Sequence, residues 1–466
     1  MAETNALPCP GCDRLQKQLD ELRAVVERLQ EQLAAARKDS STSSKPPSSD
    51  IVKPPPPPLP PGQAKRAPGG QPGHQKHGRD LFPPEQVDRS FVHSLDSCPC
   101  CGGALRSSGC ADRIVQQMDL LPPRLEIEQH SCPDYWCVRC EKSFKAALPG
   151  PIERGGLAGP RLTALVAYLK GACHASFSTI RKFLRDVARV TLSRGMLVKL
   201  IEKASKALEQ PYEELLAALP EEDRLNVDET GHKDSGKLMW TWVFRAGLYT
   251  LFKIDPHRSA DVLLEVLGAE FDGVLGCDHF SAYRRYMREC GVAVQFCLAH
   301  LIRDVKFLAT LPDKQEREYG ERLRESLRML FGTIHQRGGM TEKEFQRRLE
   351  AARDGVLKAG TEGVPAGRNA QRMAKRLRTY GASYFTFVTT PGVEPTNNLA
   401  EQAIRFVVID RLVTQGTRSG KGRTWSERIW TVLATCVQQG KEAFAYLSAA
   451  VGNWFKGEEA PSLLPD

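Results

Sequence analysis

The sequence RLNVDET occupies residues 224–230 and is followed by KLMWTWVFRAGLYTLFKID at 237–255, GVLGCD at 273–278 and VAVQFC at 292–297. The second stretch contains two runs, KLMWTWVFRAG and LYTLFKID, and these follow RLNVDET with hairpin-length gaps, which is typical of antiparallel strands. Helical patterns from Ser259 and Ser281 separate the later runs, and alternation of strand and helix favours parallel pairing. The stretch therefore predicts a mixed α/β sheet.

The chain beyond this sheet is predicted to be mostly helical. Residues 314–381 are charged and carry a capping box at Thr341 and Glu344, so they predict a helical insertion. The apolar residues 384–388 predict a further strand. We therefore expect one α/β domain over residues 224–430 with this insertion, and a C-terminal helical region over 431–466.

Three amphipathic helices are predicted before the sheet, in a helical region spanning residues 151–223. Ser193 is a suitable N-cap for the third helix, and the spacing of the second and third fits a helix-turn-helix. Arg194 and Lys199 could then face DNA. A simple three-helix packing unit explains the same pattern, so both interpretations stay open.

Short cysteine pairs within residues 83–150 predict a zinc ribbon. Four thiolates suit the tetrahedral preference of Zn²⁺, and the expected ligands of this structural zinc are Cys98, Cys101, Cys137 and Cys140. Cys100 could replace Cys98 or Cys101, Cys110 and Cys132 remain spare, and a reduced hairpin is the alternative. The alternation at 125–128 predicts a strand between the pairs.

The N-terminal region combines a heptad pattern with a low-complexity stretch. Apolar residues recur at steps of four and three, which predicts a coiled coil over residues 1–37 and self-association; they are Leu15, Leu19, Leu22, Val26, Leu29, Leu33 and Ala36. A helix packed on its own chain is the alternative. Residues 38–82 are rich in Pro, Ser and Gly and predict a disordered linker.

Charge and hydropathy bound the class of protein. The 65 Lys and Arg against 56 Asp and Glu give a formal charge of +9, which favours a polyanionic partner. The N-terminus lacks signal-peptide order, and no apolar run approaches the roughly 18 residues of a membrane span. These features predict a cytoplasmic protein without membrane partners.

Three acidic residues are candidate catalytic ligands of Mg²⁺ or Mn²⁺. Asp228 and Asp278 each lie where an apolar run meets a polar turn, and Glu401 lies in a predicted helix capped by Thr396. Separate carboxylates can hold two hard cations for an in-line phosphoryl displacement. In a chain with 56 acidic residues such triads also arise by chance, and an Asp after a strand is often only a cap.

Cationic residues surround these carboxylates in the sequence. His300 and Arg303 could approach a phosphate at a helix start, although His300 could instead be a packed core histidine or form a zinc pair with Cys297, with Cys290 nearby. A later stretch is suited to DNA contact or to a solvated face: Arg405, Arg411, Arg418, Lys421, Arg423 and Arg428. Trp425 and Trp430 are expected in the core.

Several motifs in one order resemble the insertion-sequence 66 family of transposases over nearly the whole chain: SSKPPSSD, GGQPGH, CPCCGG, VDET, CDHFSAY, CLAHLIRD and TNNLAEQAIR. The resemblance implies an RNase H-like catalytic domain whose Asp-Asp-Glu triad is Asp228, Asp278 and Glu401. It also implies that the ribbon and the helical region bind DNA ends. This chain departs from the family pattern at two positions: Thr396 stands where relatives often have Asp, and Gln402 stands where they often have Arg. Both departures leave the triad intact, but they put in doubt a metal or phosphate role at 396 and a cationic role at 402.

The sequence thus predicts a DNA transposase that acts on the double-stranded ends of its element and on target DNA. The element could also encode companion proteins that assist it. Two alternatives stay open: an inactive DNA-binding accessory protein or repressor, and a nuclease that never transfers a strand.

Overall fold

The computed structural model describes residues 10–36, 38, 81–106, 114–118 and 125–464. Nearly all of the predicted linker and the spare Cys110 lie outside these residues. The described chain divides into two compact units: one holds its residues between 81 and 127, and the other holds all the rest.

The heptad segment forms one continuous helix, α1, over Pro10–Ala36. The predicted helix is therefore confirmed. Its seam leucines are largely exposed, as Leu15 at 66%, Leu22 at 65% and Leu29 at 58% show. The pairing of this seam with another helix remains a prediction.

The second cysteine pair lies on a small antiparallel hairpin of strands β1, Asp134–Cys137, and β2, Lys142–Lys145. The predicted strand at residues 125–128 is wrong, because those residues pair with no strand in the part of the chain that the structure describes. Ile127 is 87% exposed, so its alternation with polar neighbours does not reflect a buried face.

The helical region before the sheet contains the three predicted helices and two more. Their bounds are α2 Gly150–Gly155, α3 Pro160–Gly171, α4 Phe177–Asp186, α5 Arg194–Ala207 and α6 Glu209–Ala218. The predicted N-cap is confirmed, since Ser193 Oγ accepts from the Met196 amide at 3.1 Å. The inner faces of α4 and α5 are fully buried through Ile180, Leu184 and Leu197.

A five-stranded mixed sheet follows, as predicted. Its strands are β3 Arg224–Asp234, β4 Lys237–Arg245, β5 Thr250–Asp255, β6 Val274–Cys277 and β7 Ala293–Phe296. The spatial order is β5-β4-β3-β6-β7. Strand β4 pairs antiparallel with both β3 and β5, whereas β6 pairs parallel with both β3 and β7.

Helices connect and extend the parallel half of the sheet. They are α7 Ala260–Leu267, α8 Ser281–Cys290 and α9 Leu298–Leu308. The starts predicted near Ser259 and Ser281 are confirmed. Helix α9 begins directly after β7, so its first turn lies at the carboxyl edge of the parallel strands.

The charged segment forms α10 Lys314–His335, α11 Glu342–Thr361, α12 Arg368–Tyr384 and the short α13 Thr386–Thr389. Thr341 caps α11 as predicted, accepting from the Glu344 amide at 3.3 Å. The strand predicted at 384–388 is wrong. Side chains rather than a backbone ladder join this segment to β7: Thr386 Oγ1 donates to the Val294 carbonyl at 2.8 Å.

Three helices complete the chain: α14 Asn398–Thr414, α15 Gly420–Gln438 and α16 Ala443–Lys456. Helix α15 covers the outer edge of β5, where Thr431 Oγ1 accepts from the Phe252 amide at 3.0 Å. It runs through residue 430, so the predicted domain boundary falls inside a helix. Trp425 and Trp430 are buried in the core as expected. No helix in the described chain is long and apolar enough to cross a membrane.

Candidate active site

The two aspartates of the predicted triad lie at corresponding positions beyond the last paired residues of two adjacent parallel strands. Strands β3 and β6 pair up to Asn226 and Gly276, and each aspartate follows two residues later. Asp278 comes directly after β6, as predicted. The prediction that Asp228 ends its strand is wrong, because β3 continues to Asp234 through its antiparallel pairing with β4.

Glu401 lies in the first turn of α14, where the partial positive charge of a helix N-terminus favours a carboxylate. The predicted cap at Thr396 is wrong, because the residue before the helix is Asn397 and its side chain caps no amide. Instead, Asn397 Nδ2 donates to the Val227 carbonyl at 2.7 Å, and its Oδ1 accepts from Asn226 Nδ2 at 2.9 Å. The buried Asn397 therefore fixes the start of α14 against β3.

Asp228 is partly buried beside the charges of the other carboxylates. Burial, together with the charges of Glu229, Asp278 and Glu401, raises the pKa of Asp228 well above its usual range. The Asp228 and Asp278 side chains accept one amide each, from Glu229 at 2.9 Å and from Phe280 at 2.8 Å. The cluster thus concentrates negative charge that a bound cation would relieve.

A fourth carboxylate beside the cluster was missed by the sequence analysis. Glu229 accepts from Arg258 Nε at 2.8 Å and from the Tyr283 hydroxyl, and its side chain is only 1% exposed. Burial and the charge of Asp278 raise the pKa of Glu229, whereas Tyr283 and Arg258 lower it. These bonded partners give Glu229 a structural role, which its adjacency to Asp228 in sequence does not reveal.

His300 and Arg303 lie beside Glu401, as the sequence placed them beside the site. His300 Nδ1 is 3.6 Å from Glu401 Oε1, and an Arg303 nitrogen is 3.8 Å from Oε2. Arg303 Nη1 also lies 3.4 Å from His300 Nε2. Because a guanidinium only donates, Nε2 accepts and the histidine proton lies on Nδ1, facing Glu401. Burial lowers the pKa of His300, which favours this neutral form.

Cys297 joins the same group of side chains. One ligand atom each from Cys297, His300 and Glu401 lies within 4.8 Å of the others. The Cys297 sulfur accepts from the Asn397 amide at 3.1 Å. Cys290, which the sequence also suggested, is not in this cluster of described residues.

The predicted DNA-binding cations differ in how far they are exposed to solvent. The exposed ones are Arg194, Lys199, Arg405, Arg418 and Lys421. Arg411 donates to Thr230 Oγ1 at 3.2 Å and to the Gly231 carbonyl, and Arg423 lies 3.6 Å from Asp234. Arg428 is buried and donates to the Ser205 carbonyl at 3.0 Å, so it belongs to the core rather than to a cationic surface.

Each of the two cysteine pairs lies at a turn of the backbone. The Gly102 amide donates to the Cys98 carbonyl at 2.8 Å, and the Cys98 amide donates to the Gly103 carbonyl at 2.9 Å. Backbone amides of Cys100 and Cys101 lower the pKa of Cys98. In the other pair, hydrogen bonding by Cys140 lowers the pKa of Cys137. These hydrogen bonds therefore favour the thiolate, the form that Zn²⁺ binds, at Cys98 and at Cys137. The hydrogen bond with Cys137 raises the pKa of Cys140.

The fold and the site describe a mixed α/β protein with a carboxylate cluster at the end of its parallel strands. Comparison with known proteins supplies the family: the Transposase IS66 family matches residues 155–424, and the zinc-finger binding domain of transposase IS66 matches residues 96–141. A family of unknown function matches residues 3–80. The chain belongs to the IS66 family of transposases.

Two relatives from Sinorhizobium fredii (strain NBRC 101917 / NGR234) are similar over most of the chain. The uncharacterized protein y4qI is 24% identical, covering 75% of this chain and 70% of the relative. The uncharacterized protein y4hP is 23% identical, covering 76% of this chain and 70% of the relative.

Proposed function

We propose that this protein is the transposase of a bacterial insertion sequence, which cleaves DNA at the ends of its element and joins the released 3′-OH to target DNA. The observation that carries the proposal is that Asp228 and Asp278 each follow the last β3–β6 pair by two residues, while Asn397 ties the start of the helix that carries Glu401 to the residue before Asp228. Membership of the IS66 transposase family supports the same function.

The sheet supports an RNase H-like catalytic domain. Its order places a three-stranded antiparallel meander beside two parallel strands, with the first strand of the meander at the centre. This combination is the arrangement expected of an RNase H-like sheet. Asp228 lies on the central strand, which is where the resemblance assigns the first triad residue.

The residues present fit divalent metal ions. Asp228, Asp278 and Glu401 offer oxygen ligands, and burial together with the neighbouring negative charges raises the pKa of Asp228. Hard cations such as Mg²⁺ or Mn²⁺ prefer such ligands. When bound, a pair of these ions would activate the attacking oxygen and stabilise the leaving oxygen of the phosphodiester.

The chain itself supplies orientation and charge around the reacting phosphate. Asn397 and the β3–β6 register hold the carboxylates in place, and Arg303 provides a positive charge beside Glu401. The attacking group is water for cleavage and the 3′-OH for strand transfer. Because both steps are phosphoryl displacements, one site can perform them in turn.

DNA is proposed to contact the exposed cations of two regions. Arg194 and Lys199 lie on α5, which we propose as the second helix of a helix-turn-helix. Arg405, Arg418 and Lys421 lie on or next to α14 and α15, in the chain segment that carries Glu401. Phosphate contacts from such residues would position the duplex without reading its sequence.

The remaining modules are proposed to assemble the complex. Zn²⁺ held by Cys98, Cys101, Cys137 and Cys140 would stabilise the ribbon, which the matched zinc-finger family supports. Self-association through α1 would pair two element ends, since two ends favour an even assembly. Companion proteins of the element could assist this assembly.

The test is strand cleavage and transfer by the full chain on duplex DNA carrying the element's own end, with Mg²⁺ or Mn²⁺. We expect Glu401→Gln to abolish both products while DNA binding persists. The matched control is Glu394→Gln, which changes an exposed glutamate seven residues earlier. We expect the control to cleave and join like the unmutated chain.

Other outcomes select the alternatives. Binding without cleavage, even with companion proteins added, would indicate an accessory protein or repressor. Cleavage without joined products would indicate a nuclease. Undiminished cleavage by Glu401→Gln would show that another residue is the third ligand.

A further inference from the structure

We propose that Cys297, His300 and Glu401 form a second metal site, selective for Zn²⁺ over Mg²⁺, and that zinc bound there inhibits DNA cleavage. The site stands on geometry alone. Its inhibitory effect rests on the proposed function, because Glu401 would belong to both sites.

The site lies where the first turns of two helices meet. Cys297 and His300 belong to the start of α9, and Glu401 belongs to the first turn of α14. Two hydrogen bonds fix these turns together: the Asn397 amide donates to the Cys297 sulfur at 3.1 Å, and the Leu298 amide donates to the Pro395 carbonyl at 3.0 Å. The donor atoms lie within 4.8 Å of one another, so small side-chain adjustments would let them share one ion.

Two of the three atoms that would bind the metal ion make no hydrogen bond. His300 Nδ1 and Glu401 Oε1 are both buried, and neither has a hydrogen-bond partner among the described residues. Their separation of 3.6 Å exceeds a hydrogen bond. Buried polar atoms are normally satisfied, and a shared cation would satisfy both, with release of the Nδ1 proton.

The donor set selects the metal. Mg²⁺ prefers oxygen ligands, whereas sulfur and imidazole nitrogen suit Zn²⁺ and related transition metals. One thiolate, one imidazole and one carboxylate would leave a fourth position for water, as in three-ligand zinc sites. The Asn397 amide on the sulfur provides the outer hydrogen bond that commonly supports a zinc ligand.

Zinc bound at this site would compete with the proposed magnesium site for Glu401. Glu401 is the residue shared with Asp228 and Asp278 in the proposed magnesium site. A Glu401 carboxylate turned toward Cys297 and His300 would no longer complete that site. Zinc should therefore hold the catalytic centre in an inactive state until the ion is removed.

The direct test is metal content of the full chain, measured by mass spectrometry after saturation with Zn²⁺ and removal of free ion. Zinc bound by the ribbon is the same in every variant, so a difference in zinc content between variants measures the second site. We expect the unmutated protein to hold one zinc ion more than Cys297→Ser or His300→Gln. Cys290→Ser, at a half-buried cysteine outside the cluster, should match the unmutated protein.

Cobalt gives a second readout. With the ribbon occupied by zinc, added Co²⁺ should produce a thiolate-to-cobalt absorption that Cys297→Ser removes. Equal zinc content in all four proteins, with no cobalt band, would overturn the proposal. If Cys297→Ser fails to fold by circular dichroism, His300→Gln carries the comparison.

The inhibitory effect is tested separately. For each variant, DNA cleavage with added Zn²⁺ is compared with cleavage by the same variant without Zn²⁺. Zinc should inhibit the unmutated protein at a concentration at least tenfold lower than it inhibits Cys297→Ser. Equal inhibition of both would overturn the shared role of Glu401. Zinc binding by a chain that never cleaves DNA would reject the proposed function and leave the metal site standing.

Discussion

The side-chain amide of Asn397 donates a 2.7 Å hydrogen bond to the carbonyl of Val227, the residue before Asp228. This contact ties the start of the helix that carries Glu401 to the strand that carries the first aspartate. Asn397 is 1% exposed, and its Oδ1 accepts from Asn226 at 2.9 Å. The nitrogen and the oxygen of its side-chain amide therefore both hold the start of α14 against β3.

We expect Asn397→Ala to lower the free energy of unfolding by about 1–3 kcal/mol, because it leaves a buried carbonyl and amide unpaired. Cleavage should fall further than stability alone explains, since Glu401 loses its alignment. Chemical denaturation and the cleavage assay measure the two effects. Asn398→Ala, at the exposed neighbour, should leave stability within about 0.5 kcal/mol; an equal loss in both variants would contradict a specific role for Asn397.

Gly276 leaves the space that Asn226 occupies. A Cβ atom at position 276 would lie 2.5 Å from Asn226 Nδ2, the atom that donates to Asn397. Gly276→Ala should therefore destabilise the fold by about 1–3 kcal/mol through overpacking and reduce cleavage. Gly247→Ala, in a turn where a Cβ meets nothing within 4 Å, is the matched control for thermal unfolding. A fully stable Gly276→Ala would show that Asn226 moves without cost.

Sequence periodicity was sufficient to predict the strands of the sheet, whereas the choice of Asp228 and Asp278 as candidate ligands came from the family resemblance. The apolar run before Asp278 correctly predicts that β6 ends there. Periodicity could not reveal that β3 extends past Asp228, since that length depends on pairing with β4. Nor could it identify Glu229 as a bonded partner of Arg258, because 29 residues separate them in the chain.

Other errors have the same origin in tertiary contacts. Residues 384–388 are apolar and strand-like, yet Thr386 and Gln295 join this segment to β7 through side chains and allow it to be helical. Arg428 resembles its exposed cationic neighbours in sequence but lies inside the protein. Local pattern predicts an element, whereas its partners decide its final form.

Acid sensitivity is predicted from His232, which is buried as a neutral imidazole. Thr417 Oγ1 donates to Asp234 at 2.9 Å, so it accepts from His232 Nε2 at 3.0 Å, and Nδ1 has no hydrogen-bond partner among the described residues. Burial, with the charges of Arg411 and Arg423, lowers the pKa of His232 to about 4. An unfolded histidine has a pKa of about 6.5.

Between these pKa values the unfolded chain binds more protons at His232 than the folded chain does. Stability from this residue is thus complete above about pH 6.5 and is lost as the pH falls toward 4. The thermal midpoint of the unmutated protein should drop more between pH 7 and pH 5 than that of His232→Gln. The exposed His257 offers the control His257→Gln, which should keep the full drop; a drop just as large in His232→Gln would reject this assignment.

Self-association is expected to depend on the exposed seam of α1. Leu22 is 65% exposed on the helix, whereas a paired seam would bury it. Leu22→Lys should shift the full chain toward monomer in sedimentation experiments. Ala24→Lys changes an exposed position outside the heptad seam and should leave the association unchanged. A monomeric unmutated chain would instead mean that the seam has no second copy as its partner.

Two cations on one helix should separate structural roles from DNA binding. Arg428 is buried and donates to Glu209 at 2.5 Å and to the Ser205 carbonyl at 3.0 Å, so Arg428→Ala should cost about 2 kcal/mol of stability. Lys421 is 80% exposed, and its pair with Glu202 should contribute less than about 1 kcal/mol. Lys421→Ala should therefore keep the unfolding midpoint but weaken binding to duplex DNA and reduce its salt dependence. A variant that has lost a phosphate contact releases fewer counterions when it binds DNA, so its affinity depends less on salt. Unchanged affinity and salt dependence in Lys421→Ala would therefore exclude this end of α15 from the DNA-contacting surface.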